Sequence, residues 1–231
     1  MPIILAVLLF CGVLALCFGP AIWTKRILQR NGQERADFPG TGGELASHLL
    51  EELSLPDVRV EETEEGKDHY DPNDKAVRLG PKNMHGRSLT AVVTAAHEVG
   101  HAIQDRDDDA KLRRRNSLTR LTAVTDRIGI GAMVLSPFAG LMTGIPALTL
   151  LLFLSGFMST AIKTIVHLAT LPVEWDASFN KALPILEGGG YLPPEDMPEA
   201  NRILKACAFT YVAAALNSLL NVTTWLRALI R

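Results

Sequence analysis

The 231-residue chain sets 23 Lys and Arg against 25 Asp and Glu, a net charge of −2, so it lacks the basic surface that a nucleic-acid partner requires. A mean hydropathy of +0.16 beside 21% charged residues means that the apolar residues are gathered into blocks, unlike those of an evenly patterned soluble chain. Cys11, Cys17 and Cys207 all fall inside apolar stretches; they form neither a disulfide framework nor a zinc-ligand spacing, and read as small membrane-helix residues.

Residues 2–23 are apolar and are followed by Lys25, Arg26 and Arg30. The run is long enough to span the hydrocarbon core. It lacks the basic start and small-x-small cleavage site of a secretory signal, and Leu16 before Cys17 argues against lipoprotein processing. It is read as a retained anchor with its positive flank in the cytoplasm. Residues 31–94 look like a small α+β region. Leu45, Leu49, Leu50 and Leu53 recur at helical spacing over 43–53. Val58-Arg59-Val60-Glu61 and Ala76-Val77-Arg78-Leu79 alternate like half-buried strands, and residues 61–74 between them read as a polar connection. A strand ahead of the next helix suits an enzyme whose edge strand pairs with an extended peptide.

That helix is expected to start near Ser88 and carries Ala95-Ala96-His97-Glu98-Val99-Gly100-His101-Ala102-Ile103-Gln104. Residues four apart share a helix face, so His97 and His101 can aim at one metal ion while Glu98 reaches a water rather than the metal. The uncharged neighbours of this His-Glu-x-x-His suit a helix buried beneath a metal site. Two unrelated histidines on one helix are the bland alternative. The pattern is that of a zinc hydrolase with an activated water, and it needs a third protein ligand.

After Asp105 to Asp109 the basic residues Lys111, Arg113, Arg114 and Arg115 are read as an exposed continuation of the helix reaching the membrane surface. Residues 128–169 form an apolar tract too long for one span. Pro137 and the stretch 140–146 offer a break, with Met142-Thr143-Gly144-Ile145-Pro146 the preferred turn. Lys163 and His167, late in the second span, can snorkel or face the protein interior. Residues 203–226 form a last apolar helix with Asn217, Ser218 and Asn221 on one face, a span packed on its neighbours or a helix lying on the surface.

A hairpin returns the chain to the side it left. With residues 24–127 and 170–203 in the cytoplasm, that side holds Lys25, Arg26, Arg30, Arg35, the Lys111 to Arg115 cluster, Arg120, Arg127, Lys181 and Arg202, leaving Arg227 and Arg231 outside. Glu174 then shares a side with His97 and His101 and is the expected third ligand, a carboxylate beginning a helix just past the membrane. A helix-start carboxylate held by the dipole is its alternative reading, and His167 is the rival ligand. Position 107, a possible site for a third histidine, is Asp. Asp176 or Ser178 could orient an imidazole.

Taken together, Thr41-Gly42-Gly43-Glu44-Leu45-Ala46, Asp68-His69-Tyr70-Asp71-Pro72, His85-Gly86-Arg87-Ser88, the His97–His101 motif, Pro172-Val173-Glu174-Trp175-Asp176-Ala177-Ser178 and Thr210-Tyr211-Val212-Ala213-Ala214-Ala215-Leu216 resemble the YugP-type neutral zinc metallopeptidases of bacterial membranes. The likeness extends from about residue 41 to 219. More distantly the layout is similar to HtpX-like membrane proteases, whose Glu-x-x-Ala-Asp ends here in Ser178. The resemblance implies zinc-dependent proteolysis in a multi-pass protein of the bacterial plasma membrane.

The expectation is a mainly α membrane protein with about four transmembrane helices and a small α+β zincin-like cytoplasmic region. Its parts are an anchor over 1–23, the His-Glu-x-x-His region over 24–127, a transmembrane hairpin over 128–169, a third-ligand segment over 170–203 and a C-terminal span over 204–231. It would be a membrane-bound zinc metalloendopeptidase of the gluzincin type. One Zn²⁺ is held by His97, His101 and Glu174, and Glu98 is the general base acting on a zinc-activated water. His69, Tyr70, His85 and Arg87 are candidates to stabilise the oxyanion. Its partners are a protein or peptide substrate and the lipid bilayer. The rival readings are a non-catalytic membrane adaptor with a structural zinc, and a four-span protein with an accidental motif.

Overall fold

A computed structural model describes residues 2–219; Asn221, Arg227 and Arg231, on which part of the C-terminal reading rests, lie outside the described residues. The described chain is mainly helical with one small sheet. The helices are α1 (Pro2–Arg30), α2 (Gly42–Glu52), α3 (Pro81–His85), α4 (Leu89–Arg106), α5 (Ala110–Thr143), α6 (Pro146–Trp175), α7 (Leu183–Gly188) and α8 (Met197–Leu219), and the strands are β1 (Arg59–Glu62), β2 (His69–Asp71) and β3 (Ala76–Leu79). A π-helical stretch, Asp176–Ala182, links α6 to α7. The chain divides into two compact units.

The first unit holds Ile22–Arg113 and Leu171–Thr210 and is built around α4. Every residue from Leu89 to Gln104 is buried, which a helix tolerates only if its side chains are small or apolar nearly all round, as here. Ser88 caps the helix, its Oγ accepting from the Ala91 N–H at 3.1 Å. Helix α2 starts with a capping box, the Thr41 hydroxyl accepting from Glu44 N–H and the Glu44 carboxylate from Thr41 N–H. Gly42 lets this end of α2 sit against α4, because a methyl group there would collide with the carbonyl oxygens of Asn83 and Ala91. Leu49, Val77, Leu79, Val93, Val99, Leu186, Ile203 and Leu204 close the core.

The sheet has the order β1-β3-β2, with β1 parallel and β2 antiparallel to β3. Strands were expected at β1 and β3. The stretch read as a polar connection also contains β2, whose Tyr70 is buried opposite Val77. The strand next before α4 is β3, the central one, so both of its edges are already paired and the open edges belong to β1 and β2. Arg78 spans the sheet, binding Glu61 at 3.0 Å, Asp71 at 2.7 Å and Asp74 at 2.5 Å. Tyr70 donates to Asp105 of α4 at 2.8 Å and ties sheet to helix.

Two local expectations are corrected. The basic residues after the motif do not continue α4. That helix ends at Arg106, Asp108 adopts a positive φ of 54°, and α5 starts afresh at Ala110. Nor does Glu174 begin a helix, since it lies in the last turn of α6. Pro172, two residues before it, is carried inside α6.

The second unit holds the segments Met1–Ala21, Arg114–Thr170 and Tyr211–Arg231. Helices α5 and α6 reverse where expected: α5 stops at Thr143, Gly144 takes a positive φ of 66°, and α6 resumes at Pro146. Helix α5 continues through Pro137. Across the turn the helices meet through small residues, Gly140 facing Thr149, Gly156 facing Met133 and Gly129 facing Ser159. Lys163 pairs with Asp126 at 2.7 Å. Among the described residues one helical stretch, Pro146–Gly188, is long and apolar enough to cross a membrane, and only 17% of its most apolar part is buried, unlike the core helix of a soluble protein. Leu141, Met142, Leu150, Leu151 and Ile165 all point outward. In α8 the first turns of the expected C-terminal span, Ile203 and Leu204, lie in the core of the first unit.

Candidate metal centre

Two side chains of one helix meet a third, more than seventy residues further along the chain, in the first unit. The ligand atoms of His97, His101 and Glu174 lie within 4.8 Å of one another, and all three residues are buried. Both histidines come from one face of α4, a turn apart. Glu174 Oε2 stands 3.1 Å from Nε2 of His101 and 3.5 Å from Nε2 of His97. Two donors each about 2.0–2.1 Å from a tetrahedral zinc stand about 3.3 Å apart, so these separations bracket what one ion requires. Two imidazoles and a carboxylate are also a donor set that zinc takes with one position left over.

The other ring nitrogens are already engaged, and this sets the tautomers. Ser178 Oγ lies 3.1 Å from Nδ1 of His97 and donates its proton to the Leu204 carbonyl, also at 3.1 Å. With that proton spent, the hydroxyl accepts from Nδ1–H of His97. His101 Nδ1 lies 2.9 Å from the Oε1 of Gln104, which only accepts, so this ring too carries its proton on Nδ1. Both Nε2 lone pairs are therefore left for the ligand cluster. Gln104 Nε2 in turn donates to the Val173 carbonyl at 3.0 Å and to Asp176 at 2.8 Å.

The backbone brings these groups together at Gly100. A methyl group there would lie 2.6 Å from the Ala177 carbonyl oxygen, so the absence of a side chain allows the π-helical stretch to settle on α4. The wide turn after Trp175 keeps Glu174 and Ser178 facing the same helix, a local widening of the kind often found at working sites. Burial raises the Asp176 carboxyl, but hydrogen bonds from Gln104 and Asn180 and the nearby Lys181 and Lys111 outweigh it and hold the group below its ordinary value.

Glu98 is 6% exposed and follows the first ligand directly. Asp176 does not touch an imidazole and reaches His101 only through Gln104. His69 binds the Lys67 carbonyl at 2.7 Å, His85 binds Glu62 at 2.6 Å, and the Arg87 N–H donates to Glu34. Tyr70 spends its proton on Asp105. Of the proposed oxyanion donors, none is hydrogen-bonded to the three-residue cluster. His167 is not among the clustered ligands. Sequence reasoning passed over two residues. Gln104 stands three positions after His101, on the same side of α4, and that spacing was the available signal. Gly100 carried none beyond being a glycine inside a helix.

A family described as "Putative neutral zinc metallopeptidase" matches residues 6–230. The chain is 32% identical over 216 residues to "Putative membrane protease YugP" of Bacillus subtilis (strain 168), covering 93% of this chain and 92% of that protein. The chain belongs to this metallopeptidase family. The expected kinship with YugP-type proteins holds. No solved structure matches the chain.

Proposed function

We propose that the protein is a membrane-bound zinc metalloendopeptidase whose site is His97, Glu98, His101 and Glu174. The observation that carries this reading is the buried His97–His101–Glu174 cluster, with both imidazoles fixed so that Nε2 faces the carboxylate. His97, His101 and Glu174 would hold the ion. Zinc bound there supplies Lewis acidity toward the scissile carbonyl and makes water a usable nucleophile near neutral pH.

The chain's own groups do the rest. Glu98 accepts the proton of the attacking water and returns it to the leaving amine, a role open to a carboxylate that follows a ligand and is not itself one. Ser178 and Gln104 hold the imidazoles in one tautomer throughout. The Glu98→Gln protein should retain its zinc and lose about 10²–10⁴-fold in peptide cleavage, measured on casein with purified protein. Undiminished cleavage would remove Glu98 from the mechanism.

Membrane attachment through residues 1–23, the 128–169 hairpin and the 204–231 helix, with the site in the cytoplasm, belongs to the same reading. It is supported by the apolar stretch within Pro146–Gly188, by the outward-facing apolar side chains of α5 and α6, by the membrane in the relative's name and by the bias of Lys and Arg.

A further inference from the structure

Gln104 is 1% exposed and every polar atom of its amide is engaged. The oxygen accepts from His101 Nδ1–H at 2.9 Å. The nitrogen has two protons, and the structure places an acceptor for each: the Val173 carbonyl, next to Glu174 in sequence, at 3.0 Å and Asp176 Oδ2 at 2.8 Å. The other oxygen of Asp176 accepts from Asn180 Nδ2 at 2.7 Å. One amide thus joins a ring on α4 to the residues on both sides of Glu174, across a separation of about seventy residues in the chain.

We propose that Gln104 is a positioning residue for the metal site, fixing the tautomer of His101 while clamping the segment that carries Glu174 to α4, with Asp176 as the anionic end of the chain of hydrogen bonds. This deepens the metal-site reading above and rests on it. The geometry suits the task. A carboxylate bonded straight to His101 would orient the ring but could not donate to the Val173 carbonyl, whereas an amide accepts on one side and donates on the other. The two imidazoles are served differently. His97 is held by a neutral hydroxyl backed by a carbonyl, and His101 by an amide backed by a carboxylate. Polarisation along the second chain places partial negative charge behind His101 and strengthens its Nε2 as a donor.

The test measures zinc affinity of the purified full-length protein by competition with a chromogenic chelator, with far-UV circular dichroism to follow folding. Gln104→Met keeps length and volume but removes every hydrogen bond, and should weaken zinc binding by about 10- to 100-fold. Gln104→Glu keeps the acceptor for His101, loses the donor to Val173 and faces Asp176 with a like charge, so it too should bind weakly. Adding Asp176→Asn to Gln104→Glu restores a donor–acceptor pair between the two positions and should recover part of the lost affinity. A residue that merely fills space would show no such rescue. Wild-type affinity in Gln104→Met, or a double variant no tighter than Gln104→Glu, overturns the proposal while leaving the metal site standing. Wild-type protein that binds no zinc overturns both. If Gln104→Met does not fold, the comparison of the other two variants decides.

Discussion

The two units of this chain use the same apolar residues in opposite ways. In the unit around α4 they point inward: Val77, Val93, Val99 and Ile203 are fully buried, and specificity comes from polar groups matched one to one, as Ser178 is with His97 and Leu204. In the unit built on α5 and α6 they point outward. Leu141 and Met142 are 85% and 86% exposed, and the helices touch through Gly129, Gly140 and Gly156. Inward apolar faces are the pattern of a domain folded in water, and outward ones with small residues between helices are the pattern that supports the proposed membrane attachment. The contrast teaches that mean hydropathy cannot describe this chain, because it averages one unit that hides its apolar side chains with another that exposes them.

A charged substitution in each unit breaks the comparison most sharply. Val99→Asp buries an unpaired carboxylate in the core and should cost more than about 4 kcal/mol, so that no folded protein is recovered. Leu151→Arg, on the outward face of α6, should leave the circular dichroism of detergent-purified protein nearly unchanged. It should instead lower the membrane-inserted fraction, at about 2.5–3.5 kcal/mol if the residue sits mid-bilayer. Equal loss of folding from both would show that the units do not differ in this way.

Gly100→Ala sharpens the account of how the first unit closes. The added methyl meets the Ala177 carbonyl oxygen, and relieving the contact must move the π-helical stretch. We expect a loss of about 1–3 kcal/mol in denaturant unfolding, accompanied by weaker zinc binding. A variant as stable as wild type would mean that the approach of these backbones is not needed.

The smallest expected effect is on acid sensitivity. Burial raises the Asp71 carboxyl, but the backbone and side-chain N–H groups of Asn73, the Asp74 N–H and Arg78 together hold it below its ordinary value of 3.8. A carboxyl whose value is lower in the folded state stabilises fully above the unfolded value, and that stabilisation is lost as pH falls through the folded one. Thermal midpoints should therefore fall on acidification below about pH 4, less steeply in Asp71→Asn than in wild type. Identical slopes would remove Asp71 from the acid response.

Much of the candidate site was legible because its signals are local. His97, Glu98 and His101 follow from spacing on one helix, and that helix was expected to start near Ser88, where it does. Glu174 was reached less directly, by asking which carboxylate a returning hairpin places beside the histidines. What was not legible depends on contacts made far along the chain. The three residues of β2 were hidden among the charges of 61–74, because only pairing with β3 gives Tyr70 a buried side. Ser178 was named as able to orient an imidazole, but which ring it holds, and the Leu204 carbonyl that takes its proton, depend on a partner on another helix. Glu174 was read as opening a helix just past the membrane, and only the continuity of α6 through Pro172 shows that it stands in the last turn of one.

The claim at the centre is that residues separated by a hairpin form one metal site. Zinc per chain, measured on purified wild-type protein and on Glu174→Ala, tests it most directly. We expect about one zinc per wild-type chain and a folded Glu174→Ala protein that loses its zinc to a weak chelator. Zinc retained by Glu174→Ala as tightly as by wild type would contradict the account.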